Sequence, residues 1–343
     1  MISISMFNNK GGVGKTTLTC NIASYFAKQK SKKVLVVDCD PQCNSTQLIM
    51  GEEFTTYLYT DEDAKKKYTT ISDILWPIEV GEADIIEKIA TIPADKNKFG
   101  LDVLPGHPGF SVIEDRLSLA WWDLKAGEIA GFRKTNWNTR LCQLLSPRYE
   151  YVFFDLGPSL GSINRSVLVG CDYFITPMGT DIFSILGIKN IAKWFNDWIS
   201  LYSHGLNLCR MANAERLKEF QIKQDLNIKT GYLGYTIQQY ITKSIRGERR
   251  PTRAYEEIIK NVPSQINTSL GSFYTKHMDN AKLGDVPHLY SLVPLAQSVA
   301  APILALKSAD GLVGSQFKQR EDYGEIIRTI VNNIIANLGE SGG

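Results

Sequence analysis

The chain has 343 residues, of which 38 are basic and 36 acidic (net charge +2), and its 43% hydrophobic and 22% charged content is ordinary for a globular protein. This excludes extended disorder and a strong global charge field, so any nucleic-acid contact must come from a local patch. No run of about 18 apolar residues offers a membrane span, and six cysteines without a CxxC pair argue against a zinc framework.

Ile2 to Phe7 reads as a buried strand, too short and without a basic lead-in to be a secretion signal, so a cytoplasmic protein with reduced thiols is expected. A glycine-rich run follows, then Leu18 to Lys28 at helical spacing. Lys33 to Val37 is a second strand, ended by Asp38-Cys39-Asp40-Pro41, where proline stops continuation. Residues 51 to 70 read as a polar surface excursion, and Leu101 to Leu104 as a third strand. Residues 107 to 150 are expected to be helical, with Trp121, Trp122 and Trp137 among them.

Tyr151 to Phe154 is a continuous apolar strand ending at Asp155; a turn, a helix from Ser162 and a strand over Tyr173 to Thr176 come next. Ile188 to Leu201 reads as a helix, Tyr232 to Gln238 as a strand, Lys243 to Arg253 as a basic loop, and Tyr290 to Val293 as the last strand. Ile326 to Leu338 spaces its isoleucines as an amphipathic helix. Apolar strands alternating with helices predict an α/β fold: a doubly wound, mostly parallel sheet with helices on both faces. A single domain over 1–343 is expected, with insertions at 107–150 and 203–285. Such sheets bind ligands at the C-terminal ends of their strands.

The run Lys10-Gly11-Gly12-Val13-Gly14-Lys15-Thr16-Thr17, between strand and helix, suits a phosphate cradle. Glycines let backbone N–H groups turn inward, the helix presents its positive end, Lys15 can reach the β- and γ-phosphates, and the Thr16 hydroxyl can hold Mg²⁺. The ordinary P-loop pattern would place a glycine at position 9, where this chain has Asn9 and then Lys10. Asn8 to Thr17 therefore resembles the signature of the ParA/MinD family of deviant Walker A ATPases, ParA/Soj-type partition ATPases being the most similar.

That resemblance implies a P-loop NTPase fold with ATP and Mg²⁺ as cofactors, and an ATP-dependent homodimer in which Lys10 reaches the partner's phosphates. Lys10, Lys15 and Asp40 would be catalytic, with Asp40 positioning the attacking water. Nucleotide would be bound by Lys10, Gly11, Gly12, Val13, Gly14, Lys15, Thr16, Thr17 and Pro294. Thr16, Asp38 and Asp155 would serve the metal. Asp38-Cys39-Asp40-Pro41-Gln42 is similar to the family's first switch, and Asp155-Leu156-Gly157-Pro158-Ser159-Leu160-Gly161 to its second, with Gly157 in place of a proline. The implied function is a slow switch that hydrolyses ATP to ADP and phosphate, stimulated by a partner protein, in partition or positioning of DNA or another large cargo.

Two partner surfaces are weighed on their residues. Lys243, Arg246, Arg249, Arg250 and Arg253 could neutralise DNA phosphates without sequence preference, or form a solvated or protein-docking surface. The terminal helix carries one basic residue, Arg328, against Asp322 and Glu325, so core packing is expected and stable membrane association of the MinD kind is not. A non-hydrolysing, nucleotide-dependent binding module and a metabolic or electron-transfer enzyme of the same superfamily are the alternatives.

Overall fold

In a computed structural model the backbone is described for residues 1–220, 222–240, 242–245, 248–251 and 253–340, and side chains for the same residues except 182, 183, 185 and 239–259. The strands are β1 Ile2–Met6, β2 Val34–Asp38, β3 Asp102–Leu104, β4 Tyr151–Asp155, β5 Tyr173–Met178, β6 Tyr232–Tyr240, β7 Thr242–Ile245, β8 Glu248–Pro251 and β9 Lys282–Pro287. Seven form one sheet in the order β3-β2-β4-β1-β5-β6-β9, parallel throughout, while β7 and β8 make a separate antiparallel hairpin.

Both faces of the sheet are dry, which explains the unbroken apolar strands. Along β2, Leu35 and Val37 enter one core and Val34 and Val36 the other; along β4, Val152 and Phe154 oppose Tyr151 and Phe153 in the same way. One face is covered by the helices Lys15–Lys28 and Gln316–Leu338, the latter burying Ile327, Ile330 and Ile334. The other is covered by Ile113–Lys125, Ile129–Thr135, Trp137–Leu145, Ser162–Gly170 and Ile182–Leu217. Residues 107–150 are thus helical, and Trp121 and Trp137 lie in that core while Trp122 is exposed.

Three expectations change. The last strand is Lys282–Pro287, not 290–293: as an edge strand it buries just Leu283 and Val286, three residues apart, and Leu292–Ser298 is instead a helix. Pro294 lies in its first turn, where a missing N–H costs nothing. Residues 51–70 fold into the helices Glu52–Thr60 and Glu62–Lys67, anchored by buried Leu58 and Ala64. Of the run 243–253, read as a basic loop, residues 243–245 and 248–251 lie in the antiparallel strands β7 and β8, with Lys243 paired to Arg250 and Ser244 to Arg249, and Arg253 belongs to the helix Arg253–Leu270.

Candidate nucleotide site

The chain leaves β1 into a loop whose turns require positive φ. Gly12 (φ 73°) and Gly14 (φ 72°) lie in the left-handed region, which costs a glycine nothing. Gly14 caps the helix Lys15–Lys28 without any side-chain bond, leaving the helix's first N–H groups directed at the loop. Asn8 fixes the loop from outside: its Nδ2 donates to the Pro177 carbonyl (2.7 Å) and its Oδ1 accepts from the Lys10 N–H (2.9 Å). Lys15 folds back over the loop, donating Nζ to the Lys10 carbonyl at 3.0 Å, and is buried. Burial lowers its pKa, opposed by Asp155 and Asp40.

Strand register brings Asp38 and Asp155 to the same end of the sheet, and Asp40 follows two residues past β2. Asp155 stands level with Met6 on one side and Asp38 on the other. Asp38 is fully buried and satisfied: its Oδ2 accepts from the Thr46 N–H (2.8 Å) and hydroxyl (2.6 Å), and its Oδ1 from the Asp40 N–H (3.2 Å). The Thr46 hydroxyl in turn accepts from the Gly106 N–H, and Tyr59 donates to the Gly106 carbonyl at 2.8 Å. Asp38 thus ties the first switch to the sheet and to the 52–60 helix. Burial pushes its carboxyl up to about 6, against the pull of those hydrogen bonds.

Asp155 is equally buried, yet neither carboxylate oxygen has a hydrogen-bond partner. The Thr16 hydroxyl lies beside it, close enough to lower its pKa but outside hydrogen-bond geometry. Burial, with Asp38 next to it, pushes the Asp155 carboxyl up to about 7. A buried, orphaned carboxylate beside Lys15 and Thr16 suits a divalent cation. Among the described residues no three His, Cys, Asp or Glu side chains are grouped to hold a metal. Mg²⁺ here would therefore draw most of its ligands from phosphate and water.

Asp40 accepts from the Gln42 N–H (3.0 Å) and from Asn44 Nδ2 (3.3 Å). At Gly157 an added Cβ would stand 3.2 Å from Asp40 Oδ1, a tight contact. The turn keeps its shape because Asn164 Nδ2 donates to the Gly157 and Ser159 carbonyls, each at 2.8 Å. Glu114 accepts from the N–H groups of Ser162 and Ile163, closing the N-terminus of the next helix.

Beside the loop a cleft of about 220 Å³ is lined by Gly14, Thr17, Gln238, Val286, Tyr290 and Pro294, mostly apolar as a base site should be. Pro294, expected after a strand, lines this cleft from a helix instead. Gln238 is 4% exposed, with Nε2 donating to Thr236 Oγ1 (2.7 Å). Sequence reasoning missed Gln238, Thr46, Asn164 and Glu114; position near a strand's C-terminal end was the signal for Gln238, and the others are tertiary partners that no spacing announces. Lys243, Arg249, Arg250 and Arg253 have described backbones only, and Arg246 lies outside the described residues.

The AAA domain family matches residues 1–207. An uncharacterized protein of Methanocaldococcus jannaschii is 30% identical over 264 residues, 77% of this chain and 82% of its own length. The sporulation initiation inhibitor protein Soj of Bacillus subtilis is 27% identical over 66% of this chain and 76% of Soj. Among solved structures, protein DIP2308 of Corynebacterium diphtheriae is 34% identical (TM-score 0.75), covering 98% of this chain and 99% of that one. The ATP complex of a Cyanothece McdA variant shares the fold at 13% identity (TM-score 0.62), covering 100% and 98%. With its phosphate loop, strand-end carboxylates and all-parallel sheet, the chain belongs to this AAA domain family and is a P-loop ATPase of the ParA/MinD type.

Proposed function

We propose that the chain binds ATP with Mg²⁺, dimerises around it, and hydrolyses it to ADP and phosphate under the stimulus of a partner protein, so partitioning or positioning DNA or another large cargo. The observation that carries this is Asp155, a fully buried carboxylate with no hydrogen-bond partner, next to Lys15 and Thr16 at the mouth of the phosphate loop. Mg²⁺, when bound, would offset the charge of the phosphate oxygens. Asp155 and Thr16 would hold its hydration shell. Lys15 would exchange the Lys10 carbonyl for phosphate. Asp40, held by Gln42 and Asn44, would orient the attacking water, and Asp38 would keep the first switch in register through Thr46.

The partition role follows the names of relatives: the Myxococcus xanthus match, 27% identical over 60% of each chain, is a chromosome partitioning protein ParA. For DNA we assign the basic run Lys243, Arg246, Arg249, Arg250 and Arg253, whose contacts would weaken steeply with salt. The test pairs phosphate release with size measurement. Asp40→Ala should bind ATP, form a dimer and release no phosphate. Wild-type protein that binds ATP but releases none, with or without DNA, would establish the non-hydrolysing binding module instead.

A further inference from the structure

The dimer proposed above depends on Lys10 leaving its own chain, yet Lys10 is held within it. Its Nζ is ion-paired with the Asp181 carboxylate, both side chains being about a third exposed (39% and 33%). Asp181 is fixed for this purpose. Its Oδ1 accepts from the Ser184 N–H at 3.2 Å and its Oδ2 from the Ser184 hydroxyl at 3.3 Å, an N-cap arrangement at the start of Ile182–Leu217. On the other side, the Asn8 bonds to Lys10 and to the Pro177 carbonyl join the phosphate loop to the end of β5. Gly179 sits within the same knot, a Cβ there standing 2.9 Å from Asp181 Oδ2.

We propose that Asp181 is a positioning residue for Lys10: it holds the ammonium in cis in the single chain and yields it to the nucleotide of a second copy when the dimer forms. One ammonium cannot serve both acceptors at short range, and a bound triphosphate carries several negative charges where Asp181 carries one. The pair therefore opposes dimerisation until nucleotide is bound. Capping of the helix does not depend on the pair, because the Ser184 N–H needs only an oxygen acceptor.

This rests on the dimer reading, and the experiment separates the two. Asp181→Asn removes the charge and keeps a side chain equally good at an N-cap. The first readout needs no dimer: site-resolved acylation of Lys10 in nucleotide-free protein, expected to rise about two- to fivefold in the variant, as suits a part-exposed pair. The second is ATP-dependent dimerisation in an Asp40→Ala background, by sedimentation. Two chains unlatch per dimer, so Kd should fall roughly four- to twenty-fivefold, and the fall should vanish when Lys10 is replaced by glutamine. Unchanged acylation overturns the pair itself. Raised acylation with an unchanged or weaker dimer overturns the latch. Failure of the Asp40→Ala parent to dimerise with ATP overturns the dimer reading and the latch's role with it.

Discussion

The two switches lie side by side, yet their carboxylates are treated in opposite ways. In the first switch every charged atom is spoken for: Asp38 takes three hydrogen bonds, two of them from Thr46, and Asp40 is held by Gln42 and Asn44. Its strain sits in the backbone, where Cys43 adopts a left-handed conformation (φ 53°). In the second switch the backbone is clasped by Asn164 and Glu114, and the side chain that matters, Asp155, is left unpaired. The first switch satisfies its carboxylates within the chain; the second leaves one of its own unsatisfied.

This contrast can be broken by substitution, and the largest effect should come from Asp155→Asn. It should cost roughly a hundredfold or more in ATP hydrolysis. In a melting experiment without nucleotide it should raise stability, because it removes a buried charge without a partner. Asp38→Ala should do the reverse, lowering stability by about 3 kcal/mol as the Thr46 and Asp40 donors lose their acceptor. Equal and like-signed stability changes for the two would end the distinction between a satisfied and an unsatisfied carboxylate.

Asn164→Ala sharpens the second half. Its loss frees two carbonyls and should cost about 1–2 kcal/mol, with phosphate release falling more than ATP binding. Gly157→Ala should lower hydrolysis with ATP affinity intact, since the added methyl crowds Asp40 rather than the loop. The smallest effect is expected for Cys43→Gly, which relieves the left-handed backbone and should stabilise the chain by about 0.5–1 kcal/mol in denaturant titration.

Sequence alone carries the phosphate loop, the carboxylates at the ends of β2 and β4 and the parallel sheet, because these depend on local patterns: glycines before a helix, an acid closing an apolar run. It misplaces the last strand because Lys282 to Pro287 lies at the sheet edge with Leu283 and Val286 buried three residues apart, so no period of two shows. It takes residues 51–70 for a surface excursion because Leu58 and Ala64 are few among polar neighbours, although Tyr59 from this segment braces the loop beside the first switch. The pairing of Lys10 with Asp181 and the clasp of Gly157 by Asn164 are products of topology, so no reading along the chain reaches them. Gly157 itself, which as a missing proline suggests a looser turn, lies where an added Cβ would be in tight contact with Asp40.

The central position of β1 has a consequence for how the protein is made. Its two neighbours in the sheet are β4 and β5, about 150 residues or more further along the chain. At ordinary synthesis rates the first strand and the phosphate loop would wait roughly 10–30 s for those neighbours to leave the ribosome. A nascent chain of this protein carries its phosphate loop well before the strands that flank it, β4 and β5, exist.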